Sequence, residues 1–266
     1  MKLLPILPIR LKGHALGMIC AASTLLISSA AIPVHAADLT PAAALAADTS
    51  RPAEDIARDA DRKPADMLAF AQVKPGQTVV DYFPGKGYFT RVLSTAVGPQ
   101  GTVYAVTPQL LIDRLKGRPL PPAVSGEAGR GNVHETTGKE ATLNVPPKAD
   151  LVWTSQNYHD IHIWGGADGA FQLNKAAFDA LKPGGLYVVL DHAAAAGLDD
   201  AGMAKLHRID EALVKKEVTA AGFVLDGESQ LLRNPADPHS AAIFDASIRG
   251  KTDQFILRFR KPANAS

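Results

Sequence analysis

Three histidines of this sequence could carry out proton-transfer chemistry. His159 and His162 follow one predicted buried strand, and His192 follows the next, directly after Asp191. Because the carboxyl ends of parallel strands meet at one edge of a sheet, we expect the three imidazoles to share a cleft. A neutral imidazole can remove a proton from a hydroxyl or amine group near neutral pH. We predict His159, and then His192, as the catalytic base, with Asp160 or Asp191 fixing its tautomer.

The same side chains allow two other interpretations. Ring nitrogens that follow a strand also cap backbone groups, and His162 fits this structural role best. Together with Asp160, the cluster of His159, His162 and His192 also offers nitrogen and oxygen ligands for zinc or another transition metal. A His-x-x-His pair on a loop lacks the fixed geometry of two ligands one helical turn apart. We therefore assign no metal ligands.

A second group of candidate residues follows an earlier strand. The predicted strand from Thr78 to Tyr82 leads into the turn Pro84-Gly85-Lys86-Gly87, and a helix is predicted from Tyr88 to Val97. Glycines let the backbone approach a ligand closely, and the first turn of a helix presents free N–H groups. We therefore expect this turn to bind a small molecule, with Asp81 at the end of the strand beside it.

Strands and helices alternate through most of the chain. Further strands are predicted at Gly101 to Val106, Asn132 to Thr137, Asp150 to Thr154, Leu186 to Asp191, Val224 to Leu232 and Phe255 to Arg260. Further helices are predicted at Ala53 to Asp61, Pro64 to Ala71, Leu110 to Leu115, Phe171 to Leu181 and Asp199 to Ala221, with a covering loop from Gly117 to Gly131. This order indicates an α/β protein with a doubly wound, mostly parallel, seven-stranded sheet whose last strand is antiparallel. One domain, from 51 to 266, contains these elements.

The first 36 residues have the pattern of a secretory signal peptide. Three basic residues precede an apolar run from Ala15 to Val34, and Val34-His35-Ala36 is typical of a cleavage site. A membrane anchor is the alternative, although serines and a proline interrupt the run. We predict export to the periplasm, no stable membrane insertion after cleavage, and an Ala-rich flexible lead-in from 37 to 50.

Charge and composition exclude several classes of protein. Of the 28 Lys and Arg residues, three lie in the first 36 positions, which have no acidic residue, so 25 basic residues face 27 acidic ones in the rest. A balance this close to neutral argues against nucleic-acid or membrane-surface binding. The one cysteine, Cys20, lies in the predicted signal peptide, so the mature chain is expected to have no disulfide and no cysteine ligand. The sequence does not indicate an oligomeric state.

Several runs of residues resemble class I S-adenosylmethionine-dependent methyltransferases. They are Val79-Val80-Asp81 through Gly85-x-Gly87, Gly101 to Val106, Ala149-Asp150-Leu151-Val152 and Leu181-Lys182-Pro183-Gly184-Gly185-Leu186. The runs similar to a bacterial group of exported predicted methyltransferases are Asn157 to His162, His207 to Asp210 and Thr252 to Phe255. The resemblance covers roughly Arg51 to Pro262 and implies a Rossmann-like fold with S-adenosylmethionine as cofactor.

The resemblance also implies which residues hold the cofactor. They are Asp81, Pro84, Gly85, Gly87, Tyr88, Thr107 and Glu140. Two positions depart from the family pattern. Phe83 stands where the first glycine of the family's loop usually lies. The strand before Thr107 ends without the acidic residue that normally holds the ribose hydroxyls, and Glu140 is the candidate for the acidic contact to adenine.

These observations predict an exported S-adenosylmethionine-dependent methyltransferase that acts on a small-molecule acceptor of unknown identity. One alternative is a non-catalytic periplasmic small-molecule-binding protein on the same fold. Another is a metal-dependent enzyme that uses the histidine cluster. Because S-adenosylmethionine is made in the cytosol, an exported enzyme would need the donor to be delivered.

Overall fold

The computed structural model describes residues 39–139, 142–146 and 148–264. The strands are β1 (Thr78–Tyr82), β2 (Thr102–Pro108), β3 (Val133–Gly138), β4 (Ala149–Ser155), β5 (Leu181–His192), β6 (Val224–Ser229) and β7 (Gln254–Arg260). The helices are α1 (Pro41–Ala47), α2 (Ala53–Ile56), α3 (Asp59–Arg62), α4 (Pro64–Phe70), α5 (Tyr88–Val97), α6 (Gln109–Leu115), α7 (Tyr158–Ala180), α8 (Asp200–Leu206) and α9 (Glu211–Ala220). No helix in this part of the chain has both the length and the apolarity needed to span a bilayer.

The seven strands form one sheet in the order β3-β2-β1-β4-β5-β7-β6. Strands β1 to β5 pair in parallel, and β7 is antiparallel to both β5 and β6. The predicted doubly wound, mostly parallel, seven-stranded sheet with an antiparallel last strand is therefore confirmed. The chain leaves β1 toward β3 and returns to β4 on the other side of β1. This reversal creates a crevice at the carboxyl ends of β1 and β4, where such sheets bind ligands.

Both faces of the sheet are buried, because successive strand residues point to opposite sides. Val80 and Val152 belong to the apolar cluster that includes residues of α7 and α9. Val79 and Trp153 belong to the opposite cluster, with residues of α4 and α5. Trp153 is fully buried in this core. The packed sheet fixes the strand ends that carry the candidate site.

Helix α7 begins at Tyr158 rather than at the predicted Phe171. Gly166 interrupts it with a φ of 65°, so two helical segments meet at a kink. Glycines disfavour a helix, which is why this stretch resembles a loop in the sequence. His159 and His162 therefore lie in the first turns of a helix and not on a loop.

The single helix predicted from Asp199 to Ala221 is divided into α8 and α9. His207 ends α8 with a φ of 52°, in the left-handed region. The next residues run beside the end of β5, where the N–H of Ile209 donates to the carbonyl of His192. Arg208, directly after this break, is fully buried.

The flexible lead-in predicted from 37 to 50 is corrected in its described part, 39–50. Helix α1 lies there, with the Thr40 side chain as its N-cap. Leu45 is buried, and α1 packs against α4 and α5. Asp48 forms an ion pair with Arg130 at 2.7 Å. A buried leucine and an ion pair are enough to hold this alanine-rich segment on the domain. The predicted signal peptide lies outside the described residues.

Candidate active site

The centre of the candidate site is a buried pair formed by His159 and Asp191. Nδ1 of His159 lies 2.7 Å from Oδ1 of Asp191, and the backbone N–H of His159 donates to Oδ2 at 2.8 Å. Burial opposes the imidazolium, but the Asp191 carboxylate outweighs it and raises the pKa of His159. His159 in turn holds the pKa of Asp191 below its ordinary value despite burial. Asp191, rather than Asp160, therefore orients His159, and Nε2 faces away from this contact.

The Nε2 side of His159 borders Asp160 and His207. Oδ1 of Asp160 lies 3.6 Å from Nε2 of His159 and 3.3 Å from Nδ1 of His207. The His207 ring packs edge-on against His159, with ring centroids 5.5 Å apart. Burial raises the pKa of Asp160. The sequence gives no hint of the position of His207, because the position depends on the break between α8 and α9.

His192 lies at the end of β5, and its ring centroid is 5.8 Å from that of His159. Its Nδ1 lies 2.7 Å from Oγ1 of Thr252. Burial lowers the pKa of His192 to about 4, so the ring is neutral at neutral pH. The structure thus brings together the three residues predicted as catalytic, which are His159, Asp160 and His192.

His162 does not join this group. Its Nε2 lies 3.0 Å from Oε1 of Glu217 on α9, and this contact raises the pKa of His162. The alternative metal cluster, in which His162 would join His159, Asp160 and His192, is therefore not assembled in the described structure. In the described part of the chain, one potential ligand atom from each of three residues lies within 4.8 Å of the others. These residues are His159, Asp160 and His207. A metal ion bound there would use the lone pair of His159 that a general base needs.

His159, Asp160 and His192 line a cavity of about 430 Å³, which we call the histidine cavity. Its polar wall includes His159, Asp160, His192, Gln156 and Thr252. Its apolar wall includes Phe89, Leu190, Leu232, Ile243 and Phe244. A cavity of this size with apolar walls and a few polar groups is typical of a small-molecule site.

The turn after β1 has the backbone of a glycine loop. The φ angles are 63° at Phe83, 57° at Gly85 and 81° at Gly87. A bulky residue rarely adopts such an angle, and strain of this kind persists where the surroundings fix it. Nδ2 of Asn157 donates to the carbonyl of Phe83 at 3.0 Å, and the N–H of Phe83 donates to that of Val106 at 2.8 Å. Phe83 thus takes the left-handed conformation that a glycine would provide.

One side of this loop opens into a cavity of about 390 Å³, which we call the glycine cavity. A Cβ at Gly85 would meet nothing within 4 Å beyond its chain neighbours, so the backbone borders open space. Asp81 lines the cavity and accepts a 2.6 Å hydrogen bond from Thr90. Burial raises the pKa of Asp81 to about 7, although the Thr90 hydrogen bond opposes the shift. Pro84 and Tyr88, also predicted cofactor residues, lie in the same wall.

The opposite side of the loop, toward Thr107, is almost filled. Its cavity measures about 50 Å³, room for a few water molecules at most. The residues packed there are Leu120, Pro121, Pro122 and Val124. A Cβ at Gly87 would lie 2.3 Å from Cγ2 of Val124, so this contact requires a glycine. The predicted covering loop therefore lies against the glycine loop on its Thr107 side. Glu140 lies outside the described residues.

Two acidic residues anchor this covering loop, which we call the lid (residues 117–131). Oε1 of Glu135 on β3 accepts hydrogen bonds from the N–H groups of Val124 and Ser125. Glu127, within the lid, forms an ion pair with Arg91 on α5. The lid is thus fastened to the two elements that flank the Thr107 side.

The histidine and glycine cavities share a wall. Arg58, Arg62, Phe89, Gln156 and Asp160 line both cavities. Nη2 of Arg62 donates to Oε1 of Gln156 at 2.7 Å across this wall. Gln156 has a φ of 60°, a second strained position at the site. Sequence reasoning missed these arginines, because nothing in their spacing distinguishes them from other charged residues of short helices.

Comparison with known proteins finds no matching family model and no matching curated protein. Solved structures do match. A SAM-dependent methyltransferase from Aquifex aeolicus has 16% identity and a TM-score of 0.52, with 84% of this chain and 99% of that chain covered. The cyclase SpnF has 18% identity and a TM-score of 0.55, with 82% of this chain and 86% of that chain covered.

This chain has the class I methyltransferase fold. The fold accounts for the crevice between β1 and β4 and for the glycine loop that borders it. One of the two similar structures is described as a methyltransferase and the other as a cyclase. The fold therefore does not define the reaction, which has to be argued from the residues of the site.

Proposed function

We propose that this protein is an exported S-adenosylmethionine-dependent methyltransferase that acts on a small-molecule acceptor. The observation that carries the proposal is the shared wall between the glycine cavity and the histidine cavity. A methyl donor in the first would adjoin an acceptor in the second. Methyl transfer depends mainly on such alignment of two bound reactants.

The glycine cavity fits the amino-acid half of the donor. Gly85 leaves space for close approach to the backbone, and Asp81 offers a carboxylate to a positively charged group. S-adenosylmethionine supplies a methyl group bound to a positively charged sulfur. Room for the nucleoside half on the Thr107 side requires the lid residues 120–124 to move, since they leave about 50 Å³ there. The residues that would hold the donor are Asp81, Pro84, Gly85, Gly87, Tyr88 and Thr107.

The histidine cavity supplies the base. When bound, S-adenosylmethionine would supply the methyl group from its positively charged sulfur, which would keep the electron pair of the carbon–sulfur bond. Nε2 of His159 would accept the proton that the acceptor oxygen or nitrogen loses. Asp191, 2.7 Å from Nδ1, stabilises the imidazolium. Neutral His192, in the same polar wall, would orient the acceptor. A base of this kind contributes about 100-fold to a rate.

The variant Gly85→Asn is expected to weaken S-adenosylhomocysteine binding by at least about 100-fold, because the new side chain would occupy the glycine cavity. Asparagine tolerates a positive φ, so little instability should result. The matched control is Gly197→Asn, since Gly197 has a φ of 74°, open space around its Cβ position and no place in either cavity. Isothermal titration calorimetry measures both affinities. Equal, unweakened binding by the two variants would remove the loop from the donor site.

The variant His159→Gln is expected to lower the rate of methyl transfer about 100-fold and to leave S-adenosylhomocysteine affinity unchanged. His159 lines the histidine cavity and not the glycine cavity. The measurement follows labelled methyl groups from S-adenosylmethionine into a panel of small hydroxy and amino compounds. His162→Gln is the control, because His162 contacts Glu217 away from both cavities. Unchanged turnover in the His159 variant would leave that residue a structural role alone.

The alternative is a non-catalytic binding protein on the same fold. The filled Thr107 side and the missing acidic residue after β2 favour it. Such a protein would bind a ligand in the histidine cavity and no S-adenosylhomocysteine. Export, in either case, is proposed from the pattern of residues 1–36.

A further inference from the structure

Most arginines of the described chain have a carboxylate partner within 4.0 Å. Those that do are Arg51, Arg91, Arg130, Arg208, Arg233, Arg258 and Arg260. Those for which no such partner exists among the described residues are Arg58, Arg62, Arg114, Arg118 and Arg249. Three of these five, Arg58, Arg62 and Arg249, line the histidine cavity. Unpaired positive charge is therefore concentrated at one place.

Arg62 is the most buried of these three arginines, because Arg58 and Arg249 are exposed whereas Arg62 is half-buried. Its guanidinium lies 4.6 Å from the ring centroid of Tyr88 and 5.5 Å from that of Phe89. Within the described residues, its side-chain hydrogen bond goes to the neutral Oε1 of Gln156. Burial and the nearby Arg58 lower the pKa of Arg62 to about 10. A half-buried cation held by neutral groups gains most from an anionic ligand.

The rest of the cavity limits which anion fits. Asp61 and Asp160 also line it, so a single negative charge is tolerated better than a double one. The apolar wall of Phe89, Leu190, Leu232, Ile243 and Phe244 favours a ligand with an apolar body. A planar guanidinium matches a carboxylate geometrically. Arg249 is exposed and also lines the cavity, so a second guanidinium is available to an anionic ligand.

From this arrangement we infer that the acceptor is a small monocarboxylate with an apolar body, held through its carboxylate by Arg62 and Arg249. The inference rests on the proposed function and names the substrate class of the same site. The carboxylate fixes one end of the molecule, and the apolar wall places the other end near His159. This orientation brings a hydroxyl or amine remote from the carboxylate to the base.

S-adenosylmethionine also has a carboxylate, and Arg62 lines both cavities. The experiment must therefore distinguish binding of the acceptor carboxylate from binding of the donor carboxylate. Arg249 lines the histidine cavity and not the glycine cavity. Its side chain makes no hydrogen bond within the described chain, so replacing it should not disturb folding. Substitution of Arg249 therefore separates a carboxylate of the acceptor from that of the donor.

The test is calorimetric titration of the protein, saturated with S-adenosylhomocysteine, with 4-hydroxybenzoate and with its neutral analogue 4-hydroxybenzamide. Wild type is expected to bind the benzoate at least about tenfold more tightly than the benzamide. Both Arg249→Gln and Arg62→Gln should lose this preference. The control Arg114→Gln should retain it, because Arg114 is equally unpaired and lies outside the cavity, against Trp164.

Equal affinity for the two probes, absence of benzoate binding, or retention of the preference in Arg249→Gln would overturn the inference. Weakened S-adenosylhomocysteine binding in Arg249→Gln would also overturn it, since the carboxylate would then be that of the donor. Benzoate binding with the expected arginine dependence, in a protein that binds no S-adenosylhomocysteine, would support the anion site and contradict the methyltransferase proposal. Failure of the two proposals is thus distinguishable.

Discussion

Replacing Asp237 with alanine is expected to lower the free energy of unfolding by about 3 to 5 kcal/mol. The side chains of Arg208 and Asp237 are both fully buried, and Nη1 of Arg208 lies 2.8 Å from Oδ2 of Asp237. Removal of the carboxylate leaves a buried guanidinium without an opposite charge. The carbonyls of Ala193 and Ala241 also accept from Arg208, but they cannot neutralise it.

Urea unfolding followed by circular dichroism measures this loss. The control is Asp179→Ala, which breaks an ion pair with Lys175 whose two side chains are 62% and 50% exposed. An exposed pair contributes at most about 1 kcal/mol, so this variant should unfold nearly like wild type. Similar losses in the two variants would contradict the importance given to the Arg208 pair.

The Arg208 pair also matters for the site. Asp237 accepts from the N–H groups of His239 and Asp253, so it holds together the segment that leads to β7. This segment carries Arg249 and Thr252 into the wall of the histidine cavity. We therefore expect Asp237→Ala to weaken acceptor binding even below its unfolding temperature.

The variant Asp81→Asn is expected to gain stability relative to wild type as the pH rises, by about 4 kcal/mol between pH 4 and pH 8. Burial raises the pKa of Asp81 to about 7 from the ordinary value of 3.8. A raised pKa means that the folded state holds the proton more tightly than the unfolded state. Stability is then greatest below the unfolded pKa and is lost as the pH rises through the folded pKa. Asparagine stays neutral and can still accept the hydrogen bond from Thr90.

Urea unfolding of both proteins at pH 4, 6 and 8 measures this difference. Parallel pH dependence of wild type and Asp81→Asn would contradict a buried Asp81 whose pKa is raised. The same property bears on the proposed donor site. A cationic ligand in the glycine cavity would favour the ionised carboxylate and offset the unfavourable burial of its charge.

Local signals were sufficient to predict the glycine loop. Strand β1 and helix α5 have the predicted bounds, because a short apolar run, a turn with two glycines and an amphipathic segment follow one another directly. The left-handed backbone at Phe83 was not predictable, because phenylalanine rarely adopts it and the contacts that fix it come from Asn157 and Val106. Here distant contacts override a local preference.

The histidine cavity was likewise predictable only in part. His159 and His192 could be placed together from sequence, because they follow neighbouring strands. His207 packs against His159 because of the break after α8, and Arg249 reaches the cavity through the loop that Asp237 holds. Neither position follows from spacing. Arg62 likewise becomes part of the site through packing against Tyr88 and Phe89.

In the proposed function, the glycine cavity binds a methyl donor next to the histidine cavity. Calorimetric titration of the purified protein with S-adenosylmethionine and S-adenosylhomocysteine at neutral pH tests this binding most directly. We expect one site per chain with micromolar affinity for both ligands, despite the packed lid and the missing acidic residue. Absence of binding at millimolar ligand would contradict the methyltransferase proposal and favour the non-catalytic binding protein on the same fold.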